Sequence, residues 1–298
     1  MPSDSKCQVV AAVICVLLTA AAIRTAATTC VVVVVPTAIV TAIDTRETTL
    51  LFNGSSFSLH GVKRKAFLVR RRFAVADIGL EGLTHPSAAG DVSLFDFPTW
   101  LRRTEQKLPR NVSIAGLFQV IKDESHRDFA QLGVPAFYNP RPPKDESTNV
   151  TNLVQFVVVG YASQIPEVLQ VQYKIDWNHW QLVGPIQTII HPADGTPVDR
   201  DLAVFGEFDS VRDYSDPKSE AHRRLMALIP RELPKIIAGK ALTVHEAIRT
   251  AGAIIRLETE DDPPHVAFPI EVITIPQSGT ARVAFYDDKA TALTEPRD

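Results

Sequence analysis

The chain reads Thr28-Thr29-Cys30, then Val31 to Val35, a Pro36-Thr37 break, and Ala38-Ile39-Val40-Thr41-Ala42-Ile43 closing on Asp44-Thr45-Arg46. Two runs rich in β-branched residues, joined by a two-residue turn, predict a hairpin of two buried strands. Neither run alternates apolar with polar residues, so both faces expect cover. The hairpin begins on a threonine and ends on an Asp-x-Arg.

What precedes Thr28 has a different character. Met1 to Lys6 is polar with one lysine, Val9 to Ile23 carries no charge, and Arg24-Thr25-Ala26-Ala27 brings small residues up to Thr28. This is the layout of a secretory signal, and the apolar run is shorter than the ~20 residues a membrane helix needs. Residues 1–27 are therefore expected to be a signal peptide or removable leader, and residues 28–298 one domain. The expected destination is periplasmic or secreted. A cytoplasmic chain with a cleaved propeptide is the alternative, and contact with a membrane is expected only through an uncleaved leader.

Composition narrows the function classes. A chain of 298 residues with 45% hydrophobic residues can bury a large core, and a net charge of −3 calls for no nucleic-acid partner. Of three cysteines, Cys7 and Cys15 lie in the leader, so Cys30 alone cannot build a disulfide framework or a cysteine zinc site. The eight histidines show no metal-ligand spacing, and no metal or organic cofactor is expected. Lys63-Arg64-Lys65 with Arg70-Arg71-Arg72 is a basic cluster that reads better as a solvated hairpin end than as a phosphate-binding patch, because aromatic interleaving is poor and the total charge is negative.

Along the body, strand signals come first: 30–35, 38–44, 50–52, 66–69 and 73–78. Helical periodicity follows over 95–108 and 114–132, separated by Pro109. A Pro-rich loop at 140–152 precedes strands at 153–161, 169–175, 180–190 and 202–208. Helices are expected at 219–228 and 244–257, the second opened by Thr243 with Glu246 as a capping box. Strands at 266–275 and 281–286 close the chain. Strands and helices in blocks predict an α+β protein rather than an alternating parallel sheet. A four-layer αββα sandwich, two antiparallel sheets between helical layers, suits that order.

The hairpin from Thr28 to Asp44-Thr45-Arg46 resembles the start of catalytic proteasome β-subunits, which are N-terminal nucleophile hydrolases of the threonine type. Thr28, Asp44 and Arg46 keep that family's spacing without a gap, and Thr48 falls where the family's threonine meets bound peptide. Val62-Lys63-Arg64-Lys65-Ala66-Phe67-Leu68-Val69 looks like the strand bearing the family's lysine. Lys65 fits best because the count onward from it reaches Gly79, with Lys63 as the alternative. The chain between Asp44 and Lys65 is longer than the family's, an excess that a hairpin tip at Asn53-Gly54-Ser55-Ser56 can absorb. Gly206 and Ser210 echo a Gly-Ser-Gly-Ser loop, and Asp261 or Asp262 matches an Asp-x-x-Ser-Gly-Gly turn whose Ser-Gly-Gly is absent. Ala27 stands where self-processing members have glycine, which points to a separate protease, such as signal peptidase, for the cut.

The resemblance implies that Thr28 becomes the N-terminus and that its hydroxyl attacks a peptide or amide carbonyl. A hydroxyl is a weak nucleophile at neutral pH and needs a neighbouring base, here its own α-amine. A lysine ammonium keeps that amine neutral, a carboxylate holds the lysine, and a backbone N–H at a glycine receives the oxyanion. Thr28, Asp44, Lys65 and Gly79 take these roles, with Arg46, Thr48, Ser210 and Asp261 in support. A homo-oligomer is also implied. Without the resemblance, Thr28 reads as a small hydroxyl residue at a leader cleavage point, Asp44-Thr45-Arg46 as a strand-end turn, and the lysines as a solvated face. Two alternatives keep the fold: a non-catalytic subunit or exported binding protein with a degenerate pocket, and an amidase acting on small amides.

Overall fold

Both faces of the valine hairpin are covered, and this sets the layers. The protein is a computed structural model, in which residues 22–26, 28–50, 56–87, 90–132, 150–176, 178–179, 181–192, 201–206, 209–261, 266–289 and 291–293 are described. In chain order the elements are β1 (Ala22–Ala26), β2 (Thr29–Val35), β3 (Ala38–Asp44), β4 (Arg46–Leu50), β5 (Ser56–Val62), β6 (Ala66–Val69), β7 (Phe73–Ser87) and β8 (Gly90–Asp96). Helices α1 (Phe97–Lys107) and α2 (Ile114–Leu132) follow, then β9 (Val150–Ala162), β10 (Ile165–Asp176), β11 (Gln181–His191) and β12 (Asp201–Gly206). Helices α3 (Glu220–Leu228), α4 (Leu233–Ile237) and α5 (Val244–Asp261) lead to β13 (Ile270–Pro276), β14 (Arg282–Tyr286) and β15 (Ala292–Leu293).

The strands form two antiparallel sheets. The smaller runs β12-β2-β3-β13-β14-β15, and the larger runs β11-β10-β9-β7-β1-β4-β5, with β6 and β8 also paired to β7. Along β2, Val31, Val33 and Val35 face one core and Cys30, Val32 and Val34 another, as the two-residue period of a strand requires. The first set packs with Ala247, Ala251 and Ile254 of α5. The second meets Ala74, Ala76, Val157 and Val159 of the larger sheet, and so forms the layer between the sheets. On that sheet's outer face, Val75, Phe156 and Val158 pack against Trp100 of α1 and Leu117 and Ile121 of α2. The fold is thus α+β in four layers, αββα.

Local signals set the helix ends. Asp96 caps α1 by accepting from the Thr99 N–H at 3.1 Å, with Pro98 in the first turn, so the helix starts at Phe97 rather than Phe95. Ser219 caps α3 through the His222 N–H at 3.0 Å. Thr243 and Glu246 exchange bonds ahead of α5, the Thr243 N–H donating to Oε2 at 2.9 Å and the Glu246 N–H to Oγ1 at 3.3 Å.

The largest difference from the sequence reading is β7. Expected to end at Ile78, it continues to Ser87 through Gly79, Gly82 and Pro86, residues that weaken strand propensity. Tertiary pairing overrides them, because β1 and β8 bind its second half. Strands β1, β5, β8 and β15 and the short helix α4 were not anticipated. The hairpin tip at 53–56 lies outside the described residues except for Ser56, as does the 140–152 loop except for 150–152. Among the described residues no helix is long and apolar enough to cross a membrane. The Val9–Ile23 run lies outside them except for its last two residues, which begin β1.

Candidate active site

Thr28 sits where the chain crosses from one sheet to the other. Ala26 pairs with Gly79 in the larger sheet, and Thr29 pairs with Gly206 in the smaller. Thr28 is therefore held from both sides and retains 1% of its exposure.

Two glycines make that crossing possible. Gly206 has φ +83°, and a Cβ there would fall 1.7 Å from the Thr28 carbonyl oxygen. Gly79 has φ +110°, and its Cβ would lie 2.5 Å from the Leu153 carbonyl oxygen. Both combine a left-handed backbone with a close approach, and only glycine meets the two demands together.

On Thr28 converges a buried charged pair. Lys65, at the end of the β5–β6 connection, donates from Nζ to Thr28 Oγ1 at 2.9 Å and to Asp44 Oδ1 at 3.0 Å. Neither side chain of the Lys65–Asp44 pair has exposed surface. Asp44, the last residue of β3, also accepts from the Thr29 N–H at 2.9 Å and the Arg46 N–H at 3.0 Å. Burial pushes the Asp44 carboxyl up, while Lys65 and the two backbone donors pull it back. An isolated ammonium this deep would be very costly, so the pair must be satisfied as a unit. Lys65 and not Lys63 makes these contacts. Lys63 is half-buried, and its N–H donates to the Thr45 carbonyl at 2.9 Å.

The remaining candidates divide. Arg46 contributes its backbone N–H to Asp44. Thr48 lies on β4 opposite Ser58. Ser210 and Asp261 stand at the end of α5 instead: the Ser210 N–H donates to Glu258 at 3.1 Å, and Asp261 accepts from Arg224 at 2.7 Å and from the Ser210 side chain. Asp262 lies outside the described residues. Cys30 is fully buried, and burial, reinforced by the Asp44 charge, raises its thiol far out of the reactive range.

Sequence reasoning missed two features. One is β1, which lies between β7 and β4, pairing Ala22–Ala26 with Thr84–Gly79 and Ile23 with Leu50. It adjoins an apolar run with no turn or alternating pattern, so nothing local marked Ala22–Ala26 as a strand. The other is Glu271, buried beside Lys65 on β13, whose signal is a lone carboxylate within Ile270-Glu-Val-Ile-Thr-Ile275. Among the described residues no cluster of His, Cys, Asp and Glu is arranged to hold a metal ion.

No protein-family model matches the chain, and no curated protein matches it. Among solved structures it is similar to the (Gly-1) mutant of Anbu from Hyphomicrobium sp. strain MC1, at 13% identity and a TM-score of 0.46, covering 87% of this chain and 86% of that one. A second Anbu structure from the same strain aligns at 12% identity and a TM-score of 0.42, covering 86% of each chain.

Proposed function

We propose that the protein is a threonine-type hydrolase of peptide or amide bonds, with Thr28 as nucleophile once the leader is removed. The observation that carries this reading is the buried Lys65 ammonium, within hydrogen-bond distance of both Thr28 Oγ1 and Asp44 Oδ1. Such a cation is costly to bury for packing alone, and here it meets a hydroxyl at the point where chain cleavage would create an N-terminus.

With Thr28 terminal, its α-amine accepts the Oγ1 proton as Oγ1 bonds to the substrate carbonyl carbon. Lys65 favours the neutral amine by like-charge repulsion and stabilises negative charge on Oγ1, while Asp44 holds Lys65 in place. The Gly79 N–H receives the carbonyl oxygen as it becomes an oxyanion. The amine then protonates the leaving nitrogen, the C–N bond breaks, and an ester on Thr28 remains. Water, deprotonated by the same amine, releases the acid and restores Oγ1–H.

Departure of the leader would free the edges of β4 and β7 that β1 now occupies. An extended peptide can enter the same slot by strand addition, which favours peptides over small amides. Export through the leader and assembly of like chains belong to the same reading. A second reading, a non-catalytic binding protein, is favoured by the tie of Ser210 and Asp261 to Arg224. Fluorogenic peptides and small aryl amides offered to the wild type and to Thr28→Ala separate these cases. The account expects peptide turnover that vanishes in Thr28→Ala. No Thr28-dependent turnover of either class would favour the binding protein, and turnover of small amides alone would favour an amidase.

A further inference from the structure

The segment that carries Lys65 is gripped by a side chain for which the reaction above has no use. Glu271 on β13 has no exposed side-chain surface, and its Oε1 accepts from Arg64 Nε at 2.9 Å and lies 2.8 Å from an Arg64 terminal nitrogen. The Glu271 Oε2 atom is buried without a hydrogen-bond partner among the described residues, so the grip on this segment runs through Arg64 to Oε1. Arg64 immediately precedes Lys65, and its side chain, 37% exposed, reaches inward from the surface to the carboxylate. The flanking backbone is tied separately, Lys63 N–H to the Thr45 carbonyl and Asp77 N–H to the Lys65 carbonyl, both at 2.9 Å.

The same strand holds the other half of the charged pair. In the β13–β3 register Ile270 stands opposite Asp44 and Glu271 opposite Ile43. One strand therefore grips Asp44 through its backbone and the Lys65 segment through a side chain. Lysine is long and flexible, so its Nζ is placed within a fraction of an ångström only if its backbone is placed first. Buried ion pairs add little stability over apolar residues of the same shape, so packing alone gives a weak reason for Arg64–Glu271.

We propose that Glu271 is a positioning residue for Lys65: by anchoring the Arg64–Lys65–Ala66 segment it fixes the Lys65 ammonium between Thr28 and Asp44. Its effect on turnover rests on the reading of Thr28 as nucleophile, whereas the placement of Lys65 can be measured without any activity. The experiment uses the full chain labelled with 13C-lysine, with the Lys65 Cε signal assigned from Lys65→Arg. Glu271→Gln should split or broaden that signal and lower kcat about tenfold with KM changed by less than about twofold. Phe129→Leu, on the buried face of α2, is the stability control: it should lower Tm while leaving the Lys65 signal and kcat unchanged.

If Glu271→Gln lowers Tm but leaves the Lys65 signal as in the wild type, Glu271 is merely structural and the proposal is overturned. If no turnover depends on Thr28, the functional reading fails, and the Lys65 signal alone decides the positioning claim. Should Glu271→Gln not fold, Arg64→Gln at its partly exposed position reports on the same grip by the same signal, with the same two outcomes.

Discussion

Two polar clusters were expected to meet at one site, and only one of them converges there. Thr28, Asp44 and Lys65 come together in the interior, where none of them keeps more than 1% of its exposure. Ser210 and Asp261 join Arg224 at the solvent-facing end of α5. The first cluster hangs on strands whose neighbours are fixed by sheet pairing, so a residue count along the chain becomes a position in space. The second hangs on a 3-10 turn, Asp209–Val211, and on the end of α5, where a side chain is free to take a local partner. The contrast also separates an interior pair that must be satisfied together from an exposed network that contributes little.

Substitutions in the two clusters should differ in both stability and turnover. The largest effect should come from Thr28→Ala, which is expected to lower peptide turnover by about 10³-fold or more in steady-state assays, while loss of the acceptor for buried Lys65 costs about 1–3 kcal/mol of stability. Asp44→Ala strands Lys65 as an uncompensated buried charge, and urea denaturation should report a loss of about 3–5 kcal/mol. A loss below about 1 kcal/mol would mean that the pair is hydrated, and would remove the basis for treating it as interior. Gly206→Ala forces a Cβ against the Thr28 carbonyl at a positive φ, and should cost at least roughly 1–3 kcal/mol by the same measurement.

A smaller effect tests the electrostatics beside Lys65. Burial pushes the Glu271 carboxyl up from its ordinary 4.5 to about 7, with Arg64 acting against that shift. The folded state therefore holds this proton more tightly than the unfolded chain does. The resulting stability is fully present below about pH 4.5 and is lost as pH rises through about 7. Urea midpoints compared between wild type and Glu271→Gln should converge in slope above that window and diverge within it. The smallest change belongs to the second cluster: Arg224→Ala should alter stability by no more than about 1 kcal/mol and leave turnover within about twofold.

The hairpin, helices α1 and α2 and the capping box of α5 were legible because each rests on local pattern. β2 and β3 are valine- and isoleucine-rich with both faces apolar, α2 matches its predicted span of Ile114–Leu132, and Thr243 with Glu246 announces α5. The meeting of Thr28, Asp44 and Lys65 was legible only through spacing borrowed from a resemblance, since they lie at the ends of different strands, Thr28 before β2, Asp44 closing β3 and Lys65 before β6. What could not be read depends on partners distant in sequence. Gly79, Gly82 and Pro86 argue against a strand until β1 and β8 pair with them, and Ala22–Ala26 shows no strand until β7 and β4 flank it. Glu271 is an ordinary acidic residue in a strand until β13 is seen to lie beneath the segment that carries Lys65.

The central claim is that Thr28 becomes the first residue of the working protein. Intact-mass analysis with N-terminal sequencing of the mature chain tests it most directly. The account predicts a chain beginning at Thr28. A mature chain that begins at Met1, or at any residue other than Thr28, would contradict it.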